Sequence, residues 1–159
     1  MKVPVVPVLI SLALLATLAL LLRFPPLGDV TTTPEDPPRF RAQPPGDVPY
    51  PDRFAGLQRR AYPDLSPLQS RDAPAETLGR AAEAAQQMEG WRVVLRDDSL
   101  RVFQAVAETP LFGFEDDVVV EVRAGGGGSQ VHVRSRSRIG RSDFGANARR
   151  IRDYLSRLE

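Results

Sequence analysis

The chain has 159 residues, enough for one globular domain, and a formal net charge of +1, which argues against a general polyanion binder such as a nucleic-acid-binding protein. It has no cysteine and one histidine. That excludes a disulfide framework, a thiol nucleophile, a thiolate metal site, a lipoprotein attachment cysteine and a His-rich metal site.

The first element is the uncharged run Val3–Leu22, "VPVVPVLISLALLATLALLL". About 20 apolar residues cross a ~30 Å hydrocarbon core as a helix. A cleaved signal peptide and an uncleaved anchor both fit this run. No small-x-small site follows it, since Leu20, Leu21, Leu22, Arg23 and Phe24 are poor cleavage residues, so the anchor is favoured. Lys2 and Arg23 flank the two ends, and signal-anchor logic places the bulk of the chain away from the cytoplasm. Residues 1–24 are therefore expected to be a single transmembrane helix, with the membrane as partner through residues 3–22.

From Pro25 to Pro51 there are nine prolines in 27 residues and few large apolar side chains. Such a stretch reads as a semi-rigid spacer reaching at most roughly 80 Å. A short helix over Arg53–Ala61, with Phe54 and Leu57 on one side, completes a proline-rich linker at 25–61. The globular domain is expected at 62–159.

Asp64–Ser70 reads as a short edge strand, because Pro67 lacks a ladder donor. Asp72 and Pro74 open a helix whose stripe is Leu78, Ala81, Ala82, Ala85 and Met88, and Gly90 ends it. Trp91–Arg96 alternates as a strand, Asp97-Asp98 turns, and Leu100–Ala107 is the next strand.

Two further strands form a hairpin. Val118, Val120 and Val122 share one face; Asp117, Val119, Glu121 and Arg123 share the other. Gly125–Gly128 permits a turn. On the return strand Val131, Val133, Ser135, Ser137 and Ile139 alternate with His132, Arg134, Arg136 and Arg138. Like faces must meet, so one allowed register sets Val122 opposite Val131, Glu121 opposite His132 and Asp117 opposite Arg136. A slip of two residues brings Asp117 to Arg134 instead. Ser142 or Asp143 then caps a helix with the stripe Phe144, Ala148, Ile151, Leu155 and Leu158.

These elements specify an α+β domain. It has two layers: an antiparallel sheet of four to five strands, with two helices on one face. The other face, carrying Asp117, the Arg row and Phe103, is expected to be exposed or to meet a partner.

One resemblance rests on this region. Phe112-Gly113-Phe114 with Asp116-Asp117, Arg134-Ser135, Ser137-Arg138, Gly140, Asp143, Gly145, Asn147 and Arg149-Arg150 resemble the signature of the "domain of unknown function 1499" family. The resemblance covers about Tyr62 to the C-terminus. Arg136 stands where that family usually has a small residue, and Ala148 where another Arg is expected. The resemblance implies a fold and a bacterial or plastid setting, and no activity.

Candidate site residues come from the polar face. Eight Arg against Asp143 and Asp153 lie between Arg134 and Arg157. Arg preference suits bidentate carboxylate or phosphate contacts, and equally follows from a GC-rich codon bias. The ligand-binding candidates are Asp117, Arg134, Arg136, Arg138, Asn147 and Arg150, for an anionic ligand or lipid headgroup. Arg138 and Arg150 are expected to bracket a small anion site near the start of the last helix. Asn147 is placed either for a structural contact to the hairpin or for a ligand. Asp116 and Asp117 point to opposite faces and cannot readily chelate one metal, and His132 is expected to pair with Glu121 on the surface. No catalytic residue, metal or cofactor is assigned. The expected function is a membrane-tethered binding or interaction module of the bacterial inner membrane, with its domain in the periplasm. The alternative is an enzyme using Asp117, His132 and the Arg row.

Overall fold

The computed structural model describes residues 5–23, 25–110, 113–140 and 142–159. Lys2, Val3, Pro4, Phe24 and Phe112, which entered the sequence reading, lie outside them. The first helix, α1 (Val5–Arg23), falls where the anchor is expected. Its 19 residues at 1.5 Å each span about 28 Å. Among the described residues no helix is long and apolar enough to cross a membrane.

Nine elements follow: β1 (Asp29–Thr31), α2 (Asp52–Ala61), β2 (Leu68–Ser70), α3 (Pro74–Gln86), β3 (Trp91–Asp97), β4 (Val102–Glu108), β5 (Glu115–Gly125), β6 (Gly128–Ser137) and α4 (Ala146–Leu155). The strands form one antiparallel sheet of order β1-β6-β5-β4-β3, and β2 also pairs with β6. The β5–β6 register is the first of the two expected, with Val122 opposite Val131, Glu121 opposite His132 and Asp117 opposite Arg136.

One face of the sheet carries α3 and α4. Val118, Val120, Val122, Val131 and Val133 pack there against Leu78, Ala81, Ala82 and Ala85 of α3 and Ala148, Ile151 and Tyr154 of α4. The Ala-rich stripe lets α3 approach the sheet closely. Tyr154 stacks on Trp91, with ring centroids 5.2 Å apart, and donates its hydroxyl to the Ala81 carbonyl at 2.8 Å. Phe103 belongs to this core, not to the opposite face expected for it. Strand parity explains the change: Val102, buried with Val119 and Phe40, points the other way.

Two expectations are overturned by the segment from Pro25 to Ala61. It is not a solvated linker, and the second face of the sheet is not open. Leu27 and Val30 are fully buried in the main core, and β1 adds to β6 through Asp29–Arg136, Val30–Ser135 and Thr31–Arg134. Residues 32–50 then cross the second face. Phe40 lies on Val102 and Val119 there. Gln104 Oε1 accepts the backbone N–H groups of Arg41 and Ala42 at 2.9 and 3.0 Å. In α2, Gln58 accepts from the Thr31 N–H at 2.9 Å and donates to the Thr31 carbonyl at 2.6 Å. This side chain occupies the open ladder positions of β1 and protects that edge. Prolines are frequent in the segment, yet three well-spaced apolar residues, Leu27, Val30 and Phe40, are buried against the sheet. The two short strands β1 and β2 on one edge bring the sheet to six, against the four to five expected.

Candidate functional site

The members of the Arg row meet different surroundings: Arg134 lies under the covering segment, whereas Arg136 and Arg138 are partly exposed. Arg134 is 1% exposed. Its Nε and Nη2 donate to the two Asp29 carboxylate oxygens at 2.9 and 2.7 Å, a bidentate pair. It also donates to the carbonyls of Pro38 and Val48 at 3.3 and 3.0 Å. Its guanidinium lies 4.7 Å from the Phe40 ring centroid and 5.6 Å from that of Tyr50. All this ties the segment 25–50 to the sheet. Burial pushes the Asp29 carboxyl above the usual carboxylate range, against the pull of Arg134 and Arg136.

Arg138 leaves the strand end and donates from Nε and Nη2 to both oxygens of buried Asp117, at 3.0 and 2.7 Å, and from Nη1 to Glu115. Asp117 thus faces Arg136 across the ladder but bonds the diagonal Arg138, rather than Arg136 or Arg134 as expected. The two-residue offset suits long side chains, which reach along a strand as readily as across it.

On the opposite side of the sheet, Arg150 donates to Asp116 at 2.6 Å, to the Ser135 hydroxyl at 2.8 Å and to Asn147 Oδ1 at 2.5 Å. Asn147, fully buried, accepts from Ser135 Oγ at 2.6 Å and donates to Ser137 Oγ at 3.0 Å. These bonds fasten the first turn of α4 to β6. Asp143 accepts the backbone N–H groups of Gly145 and Asn147 at 2.9 and 2.7 Å, filling the helix terminus. Arg138 and Arg150 therefore do not bracket an anion site. The sheet lies between them, and each already holds a carboxylate.

Asp117 and His132 do not converge either. They lie on one face of β5 and β6, but their ladder positions are four residues apart, about 13 Å along the strands. His132 is buried rather than paired with Glu121 on the surface. Its Nδ1 meets Thr33 Oγ1 at 2.6 Å and its Nε2 meets Gln130 Oε1 at 3.3 Å, while Glu121 is held by Arg123. Burial, with Arg123 adding to it, lowers the His132 pKa to about 4. Among the described residues no group of three or more His, Asp or Glu side chains could hold a metal ion.

Arg136 is different. Its side chain is 29% exposed and comes no closer than 3.8 Å to Asp29, whose oxygens Arg134 already holds. It lines a cleft of about 730 Å³ between the start of β1, the end of β6 and the N-terminal turns of α2. Asp29, Ser137, Arg53, Phe54 and Leu57 line the same cleft. Arg53 is exposed, with its guanidinium 5.1 Å over the Phe54 ring. Two cations above an apolar floor suit an anion that carries an apolar group.

Of the six candidates, then, the structure gives five to the scaffold and one to a cleft. Sequence reasoning missed Asp29, Phe40 and Tyr50, which fix Arg134, and Arg53, Phe54 and Leu57, which complete the cleft. A signal for β1 existed: Val30 and Thr31 open a β-branched run, Val30–Thr33, inside the proline-rich stretch.

A family model described as "Protein of unknown function (DUF1499)" matches residues 29–158. The chain belongs to this family. The match begins at β1, so the family unit includes the segment that covers the second face. No curated protein matches the chain.

Proposed function

We propose that this protein is a membrane-tethered binding module of the bacterial inner membrane, with its domain in the periplasm. In this reading the cleft beside Arg136 takes an amphiphilic anion. Arg136 and Arg53 receive a phosphate or carboxylate, and Phe54, Leu57 and the surrounding prolines receive the apolar part. One observation carries this reading: Arg136 makes no side-chain hydrogen bond to the described residues and lines the 730 Å³ cleft. The tether is supported by the uncharged run Val3–Leu22 and by the exposure of the apolar side chains of α1. The enzyme alternative gains no support from the separation of Asp117 and His132.

The test uses residues 25–159, which contain every residue of both buried clusters. Hexyl phosphate is titrated in by calorimetry. A charge-assisted hydrogen bond contributes about 1.5–3 kcal/mol, so Arg136→Ala should weaken binding roughly 10- to 100-fold. Arg59→Ala, an exposed residue paired with Glu35 and outside the cleft, should leave it unchanged. Absence of binding, or equal binding by Arg136→Ala, would overturn the reading.

A further inference from the structure

The sheet has two ends. At one lie the Gly125–Gly128 turn of the β5–β6 hairpin and the β3–β4 turn. At the other, Glu108 pairs with Glu115 and Asp116 with Ser137, and the first turn of α4 is fastened there by Asn147. The chain enters the domain at this second end, where the Ser137 N–H donates to the Gly28 carbonyl at 2.8 Å.

Large exposed apolar side chains gather at the entry end. Ile139 is 66% exposed, Phe144 48% and Phe114 46%. Ile139 follows β6, Phe144 precedes α4 and Phe114 precedes β5. Outside α1, the other large exposed apolar residues of the described chain are Val94, at the edge of the sheet, and Leu100, at the hairpin end. Phe144 also has φ +50°, a left-handed conformation that is strained for a bulky residue. A half-exposed aromatic ring is thus held at a backbone cost. Exposed apolar side chains brought to one end of a domain mark a candidate docking surface.

The chain length argues for what covers this one. α1 ends at Arg23, and Leu27 is fully buried in the core. Four residue steps reach at most about 14 Å. Leu27, where the chain joins the entry end of the sheet, must therefore lie within that distance of the end of α1.

We infer that the entry end of the domain, through Ile139, Phe144 and Phe114, docks onto the lipid surface from which α1 emerges. This rests on the proposed tether. It adds an orientation: the hairpin end points away from the membrane, and the cleft beside Arg136, lined in part by Pro26, Gly28 and Gly140, opens at the lipid surface. An amphiphile in that cleft would then enter from the bilayer, not from bulk solvent.

The chain has no cysteine, so single thiols can be placed cleanly. Ile139→Cys, Phe144→Cys and Leu100→Cys are each made in the full chain, labelled with an environment-sensitive fluorophore and reconstituted into phosphatidylcholine vesicles. Brominated lipid should quench most of the emission at positions 139 and 144 and leave position 100 bright and red-shifted. Equal, solvent-like emission at all three positions would overturn the docking while leaving the tether standing. A full chain that does not float with the vesicles would overturn both. Quenching at 139 and 144 with no hexyl phosphate binding would retain the docking and remove the ligand.

Discussion

Replacing Asp29 by asparagine leaves Arg134 with one acceptor where it had two, in a position 1% exposed. Two charge-assisted bonds, at 2.9 and 2.7 Å, hold the guanidinium. The remaining partners are neutral: the carbonyls of Pro38 and Val48 and the faces of Phe40 and Tyr50. Removing one member of a buried ion pair costs about 3–5 kcal/mol, because the other charge stays buried. Asparagine keeps one acceptor, so Asp29→Asn belongs at about 3 kcal/mol and Asp29→Ala nearer 4–5. For a domain of this size, 3 kcal/mol lowers Tm by roughly 10 °C. The comparison is Asp64→Asn, which removes the exposed bidentate partner of Arg152 and should cost under about 1 kcal/mol. Burial outweighs the pull of Arg134 and Arg136 on the Asp29 carboxyl. A second consequence follows: the double replacement Asp29→Leu with Arg134→Met should cost clearly less than the two singles added together. Urea unfolding of residues 25–159 measures all of these. An Asp29→Asn midpoint that matches Asp64→Asn, or a double variant as unstable as the sum of its singles, would refute the argument.

Three further outcomes are expected. A chain starting at Tyr62 lacks β1, Phe40 and Asp29 and should show no cooperative melting by circular dichroism, whereas one starting at Pro25 should melt cooperatively; a sharp transition in the shorter chain would show that the covering segment is dispensable. His132, the one histidine, should titrate near pH 4 by NMR: its folded pKa lies below the ordinary value of about 6.5, so its contribution to stability is complete above pH 6.5 and lost as pH falls from there toward 4. His132→Asn should flatten that slope, and an unchanged slope would assign it to other groups. Gly79→Ala, in an α3 position with nothing within 4 Å of the added Cβ, should stabilise by roughly 0.5–1 kcal/mol, whereas Gly128→Ala, whose Cβ would lie 2.2 Å from the Ser70 carbonyl oxygen, should destabilise by about 1–3 kcal/mol; equal melting temperatures for the two would count against the β2–β6 packing.

Local period and register were legible because they depend on neighbours in the chain. The alternation of Val118, Val120 and Val122 fixes which side of β5 meets the helices, and parity then fixes the β5–β6 pairing. Ser135, Ser137 and Asn147 were likewise within reach of each other in sequence. The second face of the sheet was not legible, because what covers it comes from residues 27–50. Arg134 shows why. Its alternation placed it correctly on the face of Asp117, and proximity then nominated Asp117 as its partner. Its actual partner is Asp29, 105 positions away, in a stretch whose prolines had marked it as unable to fold. The same distance hid the cleft: Arg136 is a surface arginine by local pattern, and only β1 and α2, laid beside it by Val30 and Gln58, turn it into the wall of a cleft. A row of arginines on one strand therefore has no common role. Arg138 takes its carboxylates from the neighbouring strand β5, whereas the distant N-terminal segment neutralises Arg134 and leaves Arg136 facing a cleft.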